Sequence, residues 1–337
     1  MNARITSLDV ARSAGVSQSA VSRVFSGASA SKATIIKVRR AAEELGYRPD
    51  PIARAMITGK SRIIGLVVAY LDNQFYPLAL ERLSAALQAK GYHILVFLAS
   101  NTETGIAKVM QEFLDYQVDG IITASVGMTN DLTARCAAGG IPIVMFNRGQ
   151  DGSGISSVTS ANTQGARRVA EFLVAGQHSR IAHVAGWEGS STGRDRRRGF
   201  LEGLAAAGTG AVEVIDGMYD RDVAADAARR LMERREPPDA IFVGNDHMAF
   251  AVMDRVRSLG FSVPGDVSVV GYDDVPLAAW GAYDLTTVRQ PLNRMVEATV
   301  ETLLAQIADP ERPAQKIEID GPLIIRSSAR VPKGWPR

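Results

Sequence analysis

From Arg62 onward, short apolar runs alternate with longer stretches of helical periodicity, and this alternation constrains the fold of most of the chain. The runs Ile63–Ala69, His93–Leu98, Gly120–Thr123, Ile143–Phe146, Ile181–Ala185, Val212–Ile215, Ala240–Val243 and Val267–Gly271 have the composition of strands. Helical patterns over Leu78–Ala89, Gly105–Tyr116, Thr129–Ala138, Thr163–Ala175, Arg196–Ala207, Asp222–Arg234 and His247–Leu259 lie between them. Strands apolar on both faces and joined through helices form parallel sheets with helices on each side. Eight such units divide into two doubly wound lobes, with a break near Ser157–Asn162. Leu285–Arg289 followed by a helix over Leu292–Ala308 predicts a return into the first lobe. The first lobe is expected near residues 62–160 plus 290–320, and the second near 161–289 plus 321–330. Ligands of such sheets sit beyond the carboxyl ends of the strands, so two lobes would hold one in a cleft between them.

The first sixty residues are different in kind. They carry ten Lys and Arg against four acids, a local charge of +6, while the whole chain carries +2 and the remainder therefore −4. A basic end on a mildly acidic body suits a polyanion partner at that end only. Thr6-Ser7-Leu8-Asp9 has the spacing of a capping box, and Gly15 stops the helix it starts. Ser17 caps a second helix, Gln18 to Phe25, with Ala20 or Val21, Val24 and Phe25 turned inward. Gln18, Ser19, Ser22 and Arg23 are left for base edges and phosphates. A third helix runs from Lys32, capped by Ser31, to Leu45, where Gly46 ends it. Ile35, Val38, Ala42 and Leu45 close a small three-helix core.

DVARSAGVSQSAVSRVFSG followed by AAEELGYRPDPIARAM resembles the DNA-binding head of the LacI/GalR family of bacterial transcription regulators. The resemblance implies a helix-turn-helix over residues 1–48 with Gln18, Ser19, Ala20, Ser22 and Arg23 at its base-reading face. Within the linker 49–61 it implies a hinge helix, Pro51–Ile57, that orders in the minor groove. Thr6, Ser17, Lys32, Ala53 and Met56 complete the expected DNA-contacting set. Met56 stands where the family usually has a wedging Leu. Lys32 stands in a segment, Ala28–Thr34, that departs from the family's Val-Ser and Thr-Arg pattern. The resemblance extends over residues 62–337 through LDNQFYP, DGII, GIPIVMFNR, RDRRRGF, PDAIFVGNDHMA, VPGDVSVVGYDD, LTTVRQP and RSSAR, and implies a periplasmic-binding-protein-like body. Ala161 replaces an Asp that the family usually places before Asn162, at the lobe crossing, where Ser160 could partly take over.

The expected cleft set is Phe75, Tyr76, Asn147, Arg148, Ser190, Thr192, Arg196, Tyr219, Asn245, Asp273 and Gln290. Paired amides, carboxylates and guanidinium groups beside aromatic faces suit the adjacent hydroxyls of a sugar, and two Arg also admit a sugar acid or sugar phosphate. Blander roles compete: Phe75 can belong to the core, Asn245-Asp246 can cap a helix, and Asp273-Asp274 can cap a turn. Trp187 and Trp280 fit either the cleft or its rim. The chain has no Gly-x-Ser-x-Gly elbow, no Walker-type glycine loop, and four His without metal-ligand spacing. An enzyme is therefore disfavoured, and no cofactor or metal is expected. A transport-type solute-binding protein would lack the basic helical head. The single cysteine, Cys136, and the lack of a signal-type apolar run fit a cytoplasmic protein with no membrane partner. The expected protein is a repressor, homodimeric or higher, on a near-palindromic double-stranded operator, under control of a small effector.

Overall fold

The computed structural model describes residues 5–26, 28–48, 60–69, 71–99, 103–125, 140–150, 154–210 and 212–335. They belong to two compact units, Met1–Arg62 and Ile63–Arg337. The expected helix over Thr129–Ala138 and the expected hinge helix over Pro51–Ile57, with Ala53 and Met56, lie outside the described residues.

In the first unit, α1 (Ser7–Ala14), α2 (Gln18–Ser26) and α3 (Lys32–Leu45) pack around buried Val10, Val21 and Val38. The capping box at Thr6 is formed in both directions. The Asp9 amide donates to Thr6 Oγ1 at 3.4 Å, and the Thr6 amide donates to Asp9 Oδ2 at 2.9 Å. Gly15 has φ 63°, a left-handed conformation that a side chain would disfavour. The ring of Tyr47 tilts against Phe25 with centroids 5.7 Å apart and closes the open end of the core.

In the second unit the strands are β1 (Ile63–Val68), β2 (His93–Leu98), β3 (Gly120–Ala124), β4 (Ile143–Phe146), β5 (Ser156–Ser160), β6 (Ile181–Ala185), β7 (Glu213–Asp216), β8 (Ala240–Val243), β9 (Ser268–Asp273), β10 (Thr286–Arg289), β11 (Lys316–Ile319) and β12 (Leu323–Ile324). One sheet has the order β11-β5-β4-β3-β1-β2 and the other β12-β10-β9-β8-β6-β7. All pairings are parallel except β10 with β12. The two halves thus repeat one winding, and each is finished by an edge strand from the C-terminal part of the chain. The covering helices are α4 (Phe75–Ala89), α5 (Glu103–Asp115), α6 (Asn162–Ala175), α7 (Ser191–Ala206), α8 (Arg221–Met232), α9 (Asp246–Ser258) and α10 (Leu292–Ala308).

One detail departs from the sequence expectation. The break expected near Ser157–Asn162 contains β5, whose Ser-Ser-Val-Thr-Ser has no apolar run to announce it. The strand is nonetheless buried, because its hydroxyls find partners: Ser156 Oγ accepts from Gln306 Nε2 and from the Gln315 amide, each at 3.0 Å. Leu285–Arg289 stays in the second lobe, within its expected bounds. Its residues Thr286–Arg289 form β10 beside β9, and the crossing follows in α10, which packs on α4, β4 and β5.

Two constraints hold the second lobe. At Gly199 of α7 an added Cβ would run into the backbone carbonyl of Thr163 in α6, so this helix pair packs at backbone distance. Asp246, fully buried at the start of α9, accepts from Thr287 Oγ1 at 2.6 Å and from the Val275 amide at 3.0 Å. It thereby ties α9, the segment after β9 and β10 together. Burial, and next the charge of Asp273, push its carboxyl up to about 8.

We expect Gly199→Val to lower the denaturation midpoint of the body strongly, by about 3 kcal/mol or more of stability. Gly154→Ala, where a Cβ meets open space, should be near neutral. Both are read by urea denaturation. The raised carboxyl of Asp246 binds a proton in the folded state that the unfolded state has already released above about pH 4. Its contribution to stability is therefore greatest at acid pH and falls as pH rises toward about 8. Asp246→Asn should flatten this part of the stability profile between pH 5 and about 8.

Candidate DNA-reading and ligand-binding sites

The head presents a polar face built on α2. Ser17, Gln18, Ser19, Ser22 and Arg23 are exposed, as are Thr6 and Lys32. Ala20 does not share that face: it is buried with Val21 and Val24 on the core side of α2. Ser19 before it points outward, and the small side chain of Ala20 lets α2 approach the core. Ser17 does more than cap, since its Oγ accepts from the Ala20 amide at 3.2 Å and lies 2.9 Å from Ser19 Oγ. Gln18 Nε2 donates to Ser7 Oγ at 3.0 Å, which holds the side chain between the two helices of the turn. Donors, acceptors and one guanidinium on an exposed helix suit base edges and phosphates of a duplex.

In the body, a cavity is lined by Asp72, Asn73, Tyr76, Asn147, Arg148, Thr192, Arg196, Tyr219, Asn245 and Asp273. These residues follow β1, β4, β6, β7 and β8 or end β9, so the cavity lies at the carboxyl ends of strands from both sheets. Of the eleven residues expected there, eight line it. Phe75 does not. Helix α4 begins three residues earlier than expected, which turns Phe75 into the core, where its ring stacks on Phe146 at 6.2 Å and leaves Tyr76 at the cavity. Ser190 is the N-cap of α7; its Oγ accepts from the Gly193 amide at 3.0 Å and donates to the Trp187 carbonyl at 2.8 Å. Gln290 stands behind the wall, its Nε2 donating to Asp273 Oδ1 at 2.7 Å. Asp72 and Asn73 were missed. Both lie in the LDNQFYP landmark a few residues past the first strand, where the aromatic pair drew the expectation.

Arg196 is the organising group. It is 2% exposed, yet three of its nitrogens are engaged: Nε donates to Asn162 Oδ1 at 2.8 Å, Nη1 to the Gly244 carbonyl at 2.6 Å, and Nη2 lies 3.4 Å from Asp273 Oδ1. The guanidinium lies over the Tyr272 ring, 3.7 Å from its centroid. Burial raises the Asp273 carboxyl to about 6, against the pull of Arg196 and Gln290. Asn245 combines both roles open to it: it lines the cavity and its Oδ1 accepts from the Met248 amide at 2.9 Å to cap α9. Asp274 is turned away, where it accepts from Arg289 Nε and Arg326 Nη2, each at 2.6 Å. Trp187 lies beneath Arg148, with the guanidinium 5.8 Å from its ring centroid, whereas Trp280 is 63% exposed.

Further contacts bridge the two sheets around the cavity. The Gly149 amide donates to Ser191 Oγ at 2.9 Å, and His247 Nε2 lies 3.5 Å from Asp72 Oδ2. Ser160 Oγ lies 3.1 Å from the Tyr272 hydroxyl, so a Ser in β5 supplies a lobe-crossing bond where Ala161 cannot. Asn147, Tyr219 and Asp273 have φ of 60°, 57° and 129°, conformations that residues other than glycine seldom adopt and that gather at ligand sites. No group of three or more candidate metal ligands occurs among the described residues, and no helix among them is long and apolar enough to cross a membrane.

Known proteins share both parts. Residues 6–50 match "Bacterial regulatory proteins, lacI family", and residues 170–329 match "Periplasmic binding protein-like domain". The HTH-type transcriptional repressor PurR of Vibrio atlanticus (strain LGP32) is 30% identical over 331 residues, covering 96% of this chain and 98% of the relative. Among solved structures, the lac repressor dimer bound to operator and the anti-inducer ONPF superposes with a TM-score of 0.86 at 26% identity, covering 97% of this chain and 99% of that one. A complex of the transcriptional regulator CelR with cellobiose gives a TM-score of 0.72 at 29% identity, covering 96% and 100%. With an exposed reading helix at one end and a buried polar cavity between two sheets, the chain belongs to the LacI family of bacterial regulatory proteins and is a DNA-binding transcriptional regulator, not an enzyme.

Proposed function

We propose that this regulator is a repressor that binds a near-palindromic operator as a homodimer, and that a sugar-like effector in the cavity controls its affinity. The observation that carries the effector reading is the convergence of Tyr76, Asn147, Thr192, Arg196, Tyr219 and Asp273, from both sheets, on one cavity. The solved CelR complex with cellobiose supports the same class of ligand. The operator-bound lac repressor dimer supports the two-fold arrangement. In that arrangement the operator's half-site spacing copies the protein's symmetry. Contacts to the effector from both sheets favour one relative setting of the lobes, and that setting controls the affinity of the head for its operator. Such coupling is typically worth about 1–3 kcal/mol.

Two measurements test the halves separately. In fluorescence anisotropy against operator and scrambled duplexes, Gln18→Ala should lose about 1–3 kcal/mol of discrimination at a single base pair. Lys32→Ala should weaken both duplexes alike and reduce the salt slope by about one. Equal binding of all duplexes by the unaltered chain would remove the operator-specific reading. In the second measurement, Arg196→Met should abolish the response of operator binding to effector, and the milder Thr192→Val should reduce it while the effector-free affinity stays within about threefold. An effector response that both substitutions leave intact would place the ligand elsewhere.

A further inference from the structure

The charges around the cavity do not balance evenly. Arg196 has Asp273 as its counter-charge and three nitrogens engaged by the protein. Asp72 is largely exposed and stands beside His247. Arg148 has neither arrangement. It is 5% exposed, it lines the cavity, and its Nε and Nη1 have no hydrogen-bond partner. Among the described residues no carboxylate forms an ion pair with it, and its nearest special contact is the Trp187 ring. Beside it, Asn147 Oδ1 is likewise buried without a partner. A buried guanidinium with no counter-ion is costly, because desolvation is not offset by pairing. A second arginine of this kind in a cavity already holding a neutralised one has a ligand-shaped explanation: the missing partner arrives with the effector.

Resting on the reading of this cavity as the effector site, we infer that the effector is an anionic polyhydroxy compound, a sugar acid or a sugar phosphate, whose charged group is held by Arg148 against Trp187. Arg196 and Asp273 then order the hydroxyls, and Arg148 selects for charge. A guanidinium pairs with either a carboxylate or a phosphate through parallel N–H donors, and exclusion of water strengthens the pair. A neutral sugar in the same position would leave the cation buried and unpaired, so the neutral analogue binds more weakly.

The test is isothermal titration calorimetry on the full chain with matched probes. D-glucose and D-galactose are the neutral parents, D-gluconate, D-glucuronate and D-galacturonate the carboxylates, and D-glucose 6-phosphate the phosphate. The tightest probe should be anionic and about 100-fold tighter than its parent; whether it is a carboxylate or the phosphate identifies the source of the charge. Arg148→Met should remove that preference by weakening the anionic probe about 100-fold relative to its parent, and Arg148→Lys should restore part of it. Because the ligand-free protein buries an unpaired cation, Arg148→Met should also raise its melting temperature by about 2–4 °C. A neutral sugar as the tightest probe, no binding by any anionic probe, equal weakening of acid and parent by Arg148→Met, or a lowered ligand-free melting temperature would each overturn the inference. If instead an anionic probe binds and Arg196→Met leaves its affinity unchanged, the cavity assignment itself fails.

Discussion

The body of this protein depends on placing one guanidinium, that of Arg196, where water cannot reach it. An isolated charge there would be too costly, so the surrounding groups must all be satisfied together. Asn162 supplies an amide oxygen from the start of α6, Gly244 a carbonyl from the end of β8, Asp273 a carboxylate from the end of β9, and Tyr272 a ring face. Each of these groups is held in turn. Asn162 Nδ2 donates to the Ser160 carbonyl at 3.0 Å, and Gln290 donates to Asp273. The result is a polar chain running from the first sheet through Arg196 to the crossover before α10. Loss of one member would leave its partners unpaired and destabilise the lobe junction, whereas the paired groups orient those a ligand would meet.

Much of this was legible in the sequence, for reasons that can be assigned residue by residue. Strands such as Ile143–Phe146 and Ala240–Val243 are buried on both faces, so their apolar runs announce them, and ligand groups fall just past their ends. Asn147, Arg148 and Asn245 could therefore be placed by position alone. Strand β5 could not, because its buried Ser and Thr are paid for by partners about 150 residues away, Gln306 and Gln315, that no local pattern reveals. Phe75 and Tyr76 show the limit at finer scale. Both were legible as aromatics near a cleft, but a helix start displaced by three residues sends one to the core and the other to the cavity. In the head, Ala20 lies on the core side because helical spacing groups it with Val21 and Val24, although the family resemblance assigned it to the reading face.

The repeated winding explains why one cavity is shared between the halves. The orders β2-β1-β3-β4-β5 and β7-β6-β8-β9-β10 each change direction at their second and third strands, where helices on opposite faces leave a crevice. Set with carboxyl ends converging, two crevices make a single enclosed volume. The exchange of the edge strands β11 and β12 between the sheets means that the chain passes from one half to the other more than once. Relative motion of the halves is then a rotation about a bundle of crossings rather than a free separation.

The left-handed backbone at Asn147, Tyr219 and Asp273 bears on how such a regulator could acquire a different ligand. These three positions accept few replacements, because most side chains would add strain to a conformation already unfavourable for them. Arg148 and Thr192 carry no such restriction. Across generations of sequence drift, retuning of chemical preference is thus channelled through the conformationally relaxed positions of the wall, while the three strained ones act as a fixed mould.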